Sequence, residues 1–535
     1  MKNPFVFFLT REYLPTFPET KKVQNPVSKK GWNLPKKLYQ WHRLIGIFTV
    51  VPVILWTLSG LMHPFMAHWF KPKIAREFIA PQPIPKESIT LSPQEILDKH
   101  NIALFKQIQL LQMQGDAYYQ VKTMGNQWRY FHAKTGEELK EGDRIYAEYL
   151  ARYFADDQKS AIKSARLLTS FTNEYKYINR LLPVWKISFD RADGLDVYVE
   201  TASSRLGTFN TNSRKAFLWV FDTFHNWSFI EAIGNNTARV LVMMTLLGII
   251  IASAMSGLLI YGLFWKRFRS APAPHNQQGI LRRYHRQIGI ATAFVTLTFA
   301  GSGAYHVSRK LQPNLLPKMI VQPDFERGEL VTEANALPVD MGQLVNFSLA
   351  KIGKEAYYRV VLAATEDGPA AVRYFSAATG TELPNADLVY AKQLVKKFAQ
   401  MESMAAAGKA ISCCETDGEE IISSIDQAAL LSAETLTKFT KEYGFIFKRL
   451  PVVRLVYDTP QKTTYYVETL TGHLAAKIEN ADRAEGISFA IFHKYFLMDW
   501  AGKTVRDLVM MFSAFGVLMV SLSGLWVFLR ASKKL

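Results

Sequence analysis

The sequence contains very little cysteine: Cys413 and Cys414 are the only two among 535 residues. Two thiols exclude a scaffold held together by several disulfides, a four-cysteine zinc site and a cysteine-ligated iron–sulfur cluster. The two cysteines are adjacent and lie close to acidic residues. We interpret them as a loop feature, with a strained and labile disulfide as the alternative.

Several enzyme motifs are also absent. No Gly-x-Gly-x-x-Gly follows a predicted strand and no Walker loop occurs, which argues against a nucleotide-binding domain. The chain has no serine nucleophile elbow and no His-Glu-x-x-His zinc motif. The common hydrolase and nucleotide-dependent enzyme classes are therefore not indicated.

Charge is missing from four long apolar runs. None of them contains Lys, Arg, Asp or Glu, and each approaches the roughly 20 residues that cross a hydrocarbon core of about 30 Å. A soluble helix of this length would show a polar stripe along one face. We therefore predict four transmembrane helices, from the runs 44–62, 240–263, 288–305 and 508–529.

The excess positive charge is confined to three short segments of a chain whose net charge is +18. Residues 1–43, 266–286 and 530–535 together hold 18 of the 64 Lys and Arg but only 2 of the 46 Asp and Glu. Four spans place these segments on one side of the membrane, and basic segments favour the cytoplasm. The charge is thus a topology signal, and it argues against nucleic acid as a partner.

The two halves of the chain repeat each other. The segment 41–47 (WHRLIGI) matches 284–290 (YHRQIGI) at an offset of 243, and 198–201 (YVET) matches 466–469 (YVET) at an offset of 268. The larger offset marks an insertion in the second half, around residues 401–440. A nearly fixed offset over a whole half is typical of an internal duplication. Because both halves begin on the cytoplasmic side, the repeats are parallel.

We predict an α-helical membrane protein with α+β extracytoplasmic domains, in which four transmembrane helices form two parallel repeats. Strand-like runs at 108–113, 117–123 and 127–133, a capped helix at 92–100 and a helix at 144–154 indicate two α+β units per half. The predicted segments are a cytoplasmic N-terminus 1–40, spans 41–65, 238–265, 285–307 and 505–530, outer domains 66–237 and 308–504, a basic cytoplasmic loop 266–284 and a cytoplasmic tail 531–535.

Six of the eleven histidines form three pairs related by the repeat. One pair opens its spans at the cytoplasmic edge, and two pairs lie near the outer surface. Neutral imidazole is a good axial ligand of haem iron, and two imidazoles from facing helices fill both axial positions. The chain has no Cys-x-x-Cys-His motif, so the predicted cofactor is non-covalent haem b with bis-histidine ligation. The candidate ligands are His42 and His285, His63 and His306, and His225 and His493.

Several pairings of these histidines are compatible with the sequence. The cytoplasmic pair is the preferred haem site. On the outer side, His63 and His306 each share a haem with the later histidine of their own half, His225 or His493. Alternatively, one symmetric outer pair holds a single haem and the other pair contacts substrate. The haem count is therefore one to three per chain, and zinc or copper at the outer histidines is a further alternative.

Small residues accompany the histidines. Gly46, Gly60, Gly289 and Gly303 lie about one helical turn from a paired histidine, on its face of the helix, where they would leave room for a flat ring. Each span also contains a Ser-Gly dipeptide, which we interpret as small residues for close helix packing.

The order of these motifs resembles a known family. A His-Arg-x-x-Gly motif opens a span, outer α+β repeats with a Tyr-x-x-x-x-Thr-Gly turn follow, and Phe-His precedes the second span. This arrangement resembles the PepSY-associated transmembrane family (PepSY-TM) over essentially the whole chain, and the doubled form resembles its inner-membrane ferric-siderophore reductase branch. The resemblance implies a bacterial inner-membrane location, periplasmic PepSY-like domains, bound haem, and reduction of a ferric siderophore or another periplasmic acceptor.

The electron source and the rival functions follow from the same features. No cytoplasmic segment is large enough for a flavin or nicotinamide domain, so the electrons would come from quinol or a separate cytoplasmic reductase. The first alternative is a non-enzymatic PepSY membrane protein that binds a peptide or peptidase or senses a periplasmic ligand. The second is an iron or haem transporter, against which the absence of charged residues in the spans argues.

Overall fold

A computed structural model describes residues 34–70, 72–269, 276–364, 370–408 and 425–532. Cys413 and Cys414, with the loop interpretation given to them, lie outside these ranges, as does most of the N-terminal segment. The helices are α1 Leu34–Pro64, α2 Pro93–Lys99, α3 Gly142–Ala155, α4 Asn212–Phe224, α5 Ser228–Ile233, α6 Asn236–Leu263, α7 Trp265–Phe268, α8 Gln277–Arg309, α9 Ala386–Ala406, α10 Asn480–Phe492 and α11 Lys503–Ser532.

The strands belong to the regions between the long helices. They are β1 Leu104–Met113, β2 Asp116–Thr123, β3 Trp128–His132, β4 Glu138–Leu139, β5 Ile162–Leu168, β6 Val184–Phe189, β7 Asp196–Glu200, β8 Arg205–Asn210, β9 Phe325–Glu326, β10 Leu344–Ile352, β11 Glu355–Leu362, β12 Ala371–Ser376, β13 Leu430–Leu436, β14 Val452–Tyr457, β15 Thr464–Glu468 and β16 His473–Ile478. The three strands and two helices predicted for the first outer domain are present as β1, β2, β3, α2 and α3.

Helices α1, α6, α8 and α11 are long and apolar enough to cross a membrane. Only 17–33% of their most apolar stretches is buried inside the protein. Large side chains such as Phe294 and Phe512 are 71% and 72% exposed. Apolar surface of this extent requires a nonaqueous partner, so these helices associate with the lipid bilayer. Helix α8 begins at Gln277, inside the segment predicted as a loop.

The four long helices form one bundle. Helices α1 and α8 each pack against both α6 and α11. Two helices that share both neighbours occupy opposite corners of a four-helix bundle. The bundle therefore brings the corresponding helices of the two halves, α1 and α8, face to face across its centre.

The first sheet joins the two halves. Its strands follow the order β12-β11-β10-β1-β2-β3-β4, with β9 beside β1. Strands β1 and β10 pair antiparallel, with Leu110 opposite Phe347. The sequence predicted separate units for each half, whereas here the edge strands of two meanders satisfy each other's backbone groups. The outer domains are thus one connected body rather than two independent ones.

Each half adds a second, four-stranded antiparallel sheet. The strand orders are β5-β6-β7-β8 in the first half and β13-β14-β15-β16 in the second. Helix α3 buries Tyr146, Leu150 and Phe154 against the first of these sheets, and α9 packs in the same way in the second half. After its last strand, each sheet leads directly into α4 or α10, the helices that end at His225 and His493.

Buried charges tie the two halves together in the outer domains. Arg449 donates hydrogen bonds to Glu200 Oε1 at 2.8 Å and to Glu468 Oε2 at 2.7 Å. Arg205, from the first half, also donates to Glu468. Burial alone would raise the pKa of the Glu468 carboxyl, but the guanidiniums of Arg205 and Arg449 hold it well below its usual range. The Arg449–Glu200 and Arg205–Glu468 ion pairs therefore cross from one half to the other.

Candidate functional site

The inner histidine pair meets across the bundle centre. His42 lies in the third turn of α1 and His285 lies in the third turn of α8. The centres of their rings are 6.4 Å apart, and the ring planes are inclined by 52°. The structure thus brings together the two residues that the sequence preferred as the cytoplasmic site.

Each inner imidazole is held by the second long helix of its own half. His42 Nδ1 lies 3.1 Å from the Ser253 carbonyl oxygen and 2.9 Å from Ser256 Oγ, both on α6. His285 Nδ1 lies 3.1 Å from the Val520 carbonyl oxygen and 3.1 Å from Ser523 Oγ on α11. We call each of these a holding site. In both, Nδ1 contacts the carbonyl oxygen of one residue and the hydroxyl oxygen of the serine three positions later on the same helix.

A glycine completes each inner holding site. A Cβ added to Gly257 would lie 3.2 Å from His42 Cε1, and one added to Gly524 would lie 3.0 Å from His285 Cε1. These separations are shorter than an ordinary van der Waals contact. Only glycine therefore lets the imidazole lie directly on the helix backbone at these positions.

The outer pair repeats this arrangement with the helix roles exchanged. His225 and His493 cap α4 and α10, and their ring centres are 6.3 Å apart with the planes inclined by 81°. His225 Nδ1 lies 3.2 Å from Ser59 Oγ, and His493 Nδ1 lies 3.3 Å from Ser302 Oγ. Each ring also bonds the backbone of the residue three positions before its serine, Trp56 or Phe299.

The hydrogen bonds define which nitrogen each ring can offer. Every serine hydroxyl in the four holding sites donates to a backbone carbonyl of its own helix, for example Ser256 Oγ to the Ser253 oxygen at 2.8 Å. The serine oxygen and the carbonyl oxygen then both accept from Nδ1–H. With Nδ1 acting as the donor, the neutral ring has its lone pair on Nε2.

Burial disfavours the protonated forms of the outer rings. Burial lowers the pKa of His225 to about 4 and lowers that of His493 as well. A neutral imidazole with its Nδ1–H bonded to a backbone carbonyl is the usual form of a metal-bound histidine. Both outer histidines therefore have the protonation state that iron ligation requires.

Both ring spacings fit one metal ion between two imidazoles. Two metal–nitrogen bonds of about 2.0 Å in line, with roughly 1.1 Å from each nitrogen to its ring centre, separate the centres by about 6.2 Å. The observed separations are 6.4 Å and 6.3 Å. Two neutral imidazoles on opposite sides of one ion are the donor set of a bis-histidine haem.

His63 and His306 do not form a third pair of this kind. Phe221 contacts both His63 and His225, with ring centres at 5.4 Å and 4.5 Å. Phe489 contacts both His306 and His493, at 4.5 Å and 4.6 Å. Of the outer arrangements left open by the sequence, the geometry matches the one with a single symmetric pair and two further histidines beside it.

The holding sites correct two interpretations drawn from the sequence. The Ser-Gly dipeptides do more than allow close helix packing, because each serine bonds a histidine and each glycine faces it. Gly60 and Gly303 face the imidazoles of His225 and His493, at 3.6 Å and 3.9 Å from an added Cβ, rather than leaving room beside His63 and His306. The sequence signal that could have revealed this role is the Ser-Gly dipeptide, which recurs once in every span.

A zinc or copper site receives no support from the donor set. Within the described ranges, no group of three or more His, Cys, Asp or Glu side chains could hold a metal ion. Structural and catalytic zinc sites use three or four such ligands.

No protein-family model matches the chain, and no curated protein matches it. The resemblance to the PepSY-TM family rests on the motifs described above and stays a prediction.

Proposed function

We propose that this chain is a haem-containing oxidoreductase of the bacterial inner membrane that moves electrons from the cytoplasmic side to a periplasmic acceptor. The observation that carries the proposal is the set of four matching histidine holding sites, arranged as two facing pairs. His42 and His285 would hold one haem b, and His225 and His493 would hold a second. Each haem would supply a one-electron carrier.

The positions of the two histidine pairs suit electron transfer across a membrane. The inner pair lies near residue 42 of α1, and the outer pair contacts the same helix at Ser59. Seventeen residues of helix correspond to about 25 Å, close to the thickness of the hydrocarbon core. The basic segments near the inner pair support a cytoplasmic location for it, since such segments remain inside.

The favoured acceptor is a ferric siderophore, by the resemblance to the reductase branch of the PepSY-TM family. Reduction to the ferrous state weakens the hold of hard oxygen ligands on iron and so would release it. Quinol or a cytoplasmic reductase would supply the electrons. The two parallel repeats, each with a PepSY-like outer domain, would form the two sides of the electron path.

The holding sites also weigh against the non-enzymatic alternative. A helix that only anchors a peptide-binding domain needs no buried imidazole with its Nδ1 fixed by two acceptors. Burying a polar group costs free energy unless the group is hydrogen-bonded. Here the same arrangement of a buried imidazole with a hydrogen-bonded Nδ1 occurs four times. Orienting contacts to the second nitrogen are a common feature of metal-bound histidine.

The activity itself can be tested in proteoliposomes. Purified protein would be reconstituted with a quinol analogue in the membrane and a ferric hydroxamate chelate outside, and ferrous iron would be trapped with ferrozine. We expect ferrous iron to form only with haem-loaded protein. Haem-loaded protein that reduces no ferric chelate under these conditions, with any quinol or with dithionite inside, would contradict the reductase assignment.

Removing the inner serines is expected to weaken haem binding without unfolding the bundle. In the Ser256→Ala, Ser523→Ala double variant, each imidazole loses one of its two orienting acceptors, and second-shell losses of this kind cost about 10–100-fold in affinity. Haem titration of the apoprotein measures the change. Ser521→Ala is the matched control, because Ser521 lies on α11 with Ser523 and its hydroxyl donates to the Val517 carbonyl. Equal affinity in the double variant and the control would contradict the role given to these serines.

A further inference from the structure

The arginine of the His-Arg-x-x-Gly motif has no role in the sites described so far. Arg43 follows His42 on α1, and Arg286 follows His285 on α8. Both arginine side chains are partly buried, at the end of the bundle where the basic segments lie. The topology of the chain accounts for basic residues at this end. It does not require an arginine at the same position beside both inner histidines.

Each of these arginines crosses to the helix that holds the histidine of the other half. Arg286 Cζ lies 4.1 Å from the centre of the Phe268 ring, just beyond α6, and Arg286 is within electrostatic range of Tyr261 on α6. Arg43 Cζ lies 5.2 Å from the centre of the Phe528 ring on α11. The two guanidiniums therefore lie on opposite sides of the inner histidine pair, one beside α6 and the other beside α11.

A flat group held between the inner rings would present its rim to the same two helices. His42 and His285 approach from α1 and α8, at opposite corners of the bundle, and so take the two faces of the group. The rim then faces α6 and α11, where the guanidiniums lie. Haem carries two propionate carboxylates at one edge of its rim. Arginine binds a carboxylate through a planar fork of N–H donors, and it can do so while resting on an aromatic ring.

A third arginine contributes a buried donor atom. Arg282 lies one helical turn before His285, and its Nε is buried without a hydrogen-bond partner among the described residues. Arg282 acts electrostatically on Arg286. Neighbouring guanidiniums repel each other unless an anion lies between them. The repeat places Tyr39 at the corresponding position of α1, so this additional donor is present only on the α6 side.

The neighbouring segments of the chain contain no acid that could neutralise these arginines. Asp and Glu are absent from residues 34–43, 264–286 and 526–535. The groups that act on Arg286 are tyrosines and further arginines. An anion that pairs with these guanidiniums therefore comes from outside these segments, and the carboxylates of a group between the inner rings lie within their reach.

We infer that Arg43 and Arg286 each bind one propionate carboxylate of the inner haem, and that Arg282 is a second donor to the propionate on the α6 side. The inference rests on the proposed function and names the residues that orient the haem within its site. The propionate edge faces the end of the bundle that carries the basic segments. Because a guanidinium stays protonated in proteins, the contact does not depend on the titration of these residues.

The test measures haem affinity at the inner site alone, in the full-length protein that carries His225→Ala and His493→Ala. This parent apoprotein, in a neutral detergent, is titrated with haem b and with haem b dimethyl ester, whose propionates carry no charge. Arg43→Gln and Arg286→Gln are each expected to weaken haem binding about tenfold, and together about 100-fold, as for the loss of hydrogen bonds to a charged group. Their affinity for the ester is expected to stay within about twofold of the parent value.

Two controls make the titration specific. Arg283→Gln removes the same charge from an exposed position next to Arg282, so it is expected to bind haem as the parent does. Arg282→Gln is expected to weaken the binding of haem but not of the ester. The parent protein should itself bind the ester more weakly than haem, by about the factor that the double arginine variant loses. This last comparison involves no arginine variant and therefore does not depend on how such a variant folds.

Two results would overturn the inference. The first is equal haem affinity in the parent and the double arginine variant, which is also the result expected if the arginines only meet lipid phosphates. The second is an equal loss of affinity for haem and for the ester, because the arginines would then shape the site without contacting the carboxylates. Haem bound equally by all variants leaves the proposed function intact, whereas a parent protein that binds no haem contradicts the proposed function as well.

Discussion

The His42→Ala, His285→Ala double variant is expected to bind about half as much haem as the unchanged chain and to accept no electrons from the cytoplasmic side. The two rings face each other at 6.4 Å, and each is fixed by a serine and a carbonyl of its own half. Removing both rings removes both axial ligands of one proposed site and leaves the outer pair intact. Haem per chain, measured as the pyridine haemochrome, gives the result directly.

Two control variants make the measurement specific. The His225→Ala, His493→Ala variant should also lose about half of the haem, but it should retain the haem that a cytoplasmic donor reduces first. His132→Ala should keep all of it, because His132 lies on β3 beside Tyr118 and Asp116, outside the bundle. Full haem content after loss of the inner pair would rule out His42 and His285 as ligands.

The Arg449→Met variant is expected to lose about 3–5 kcal/mol of stability in the outer domains, because removing one partner leaves buried charges without compensation. Glu200 and Glu468 are 2% and 1% exposed, so neither can turn to water once the guanidinium is gone. Glu468 retains Arg205, whereas Glu200 loses the two hydrogen bonds that it accepts from Arg449. The unfolding transition of the detergent-solubilised protein measures the effect.

An exposed ion pair supplies the comparison for this prediction. Arg454 on β14 pairs with Glu434 on the edge strand β13 at 2.8 Å, and the two side chains are 29% and 54% exposed. Arg454→Met should therefore change the stability by no more than about 1 kcal/mol. If both variants unfold at the same temperature, the charges between the halves do not hold the outer domains together.

Much of the bundle could be predicted from the sequence because its signals are local. The absence of charge over about 20 residues defines a span regardless of what the span contacts. The offset of 243 between 41–47 and 284–290 relates His42 to His285 without any structural information. The Ser92-Pro93 pair likewise predicts the start of α2, and in the structure Ser92 is the N-cap and Pro93 is the first helical residue.

The partners of the outer histidines depend on information that periodicity does not contain. Which ring faces His225 follows from the diagonal placement of α1 and α8 and from the angle at which α4 and α10 enter the bundle. The pairing of β1 with β10 is equally nonlocal, because any two exposed edges of suitable length can pair. The contacts of Ser59 and Ser302 with the outer histidines were missed for the same reason. In the sequence, a small residue that faces another helix cannot be distinguished from one that faces an imidazole.

A reduced-minus-oxidised visible spectrum of the detergent-purified protein, with haem quantified per chain, tests the central claim most directly. We expect sharp b-type bands from about two haems per chain, which diminish by half in each paired histidine variant. A flat spectrum from protein produced in haem-replete cells would contradict the account. The histidine pairs would then be structural contacts of the bundle, and the peptide-binding or sensory alternative would take the place of the reductase.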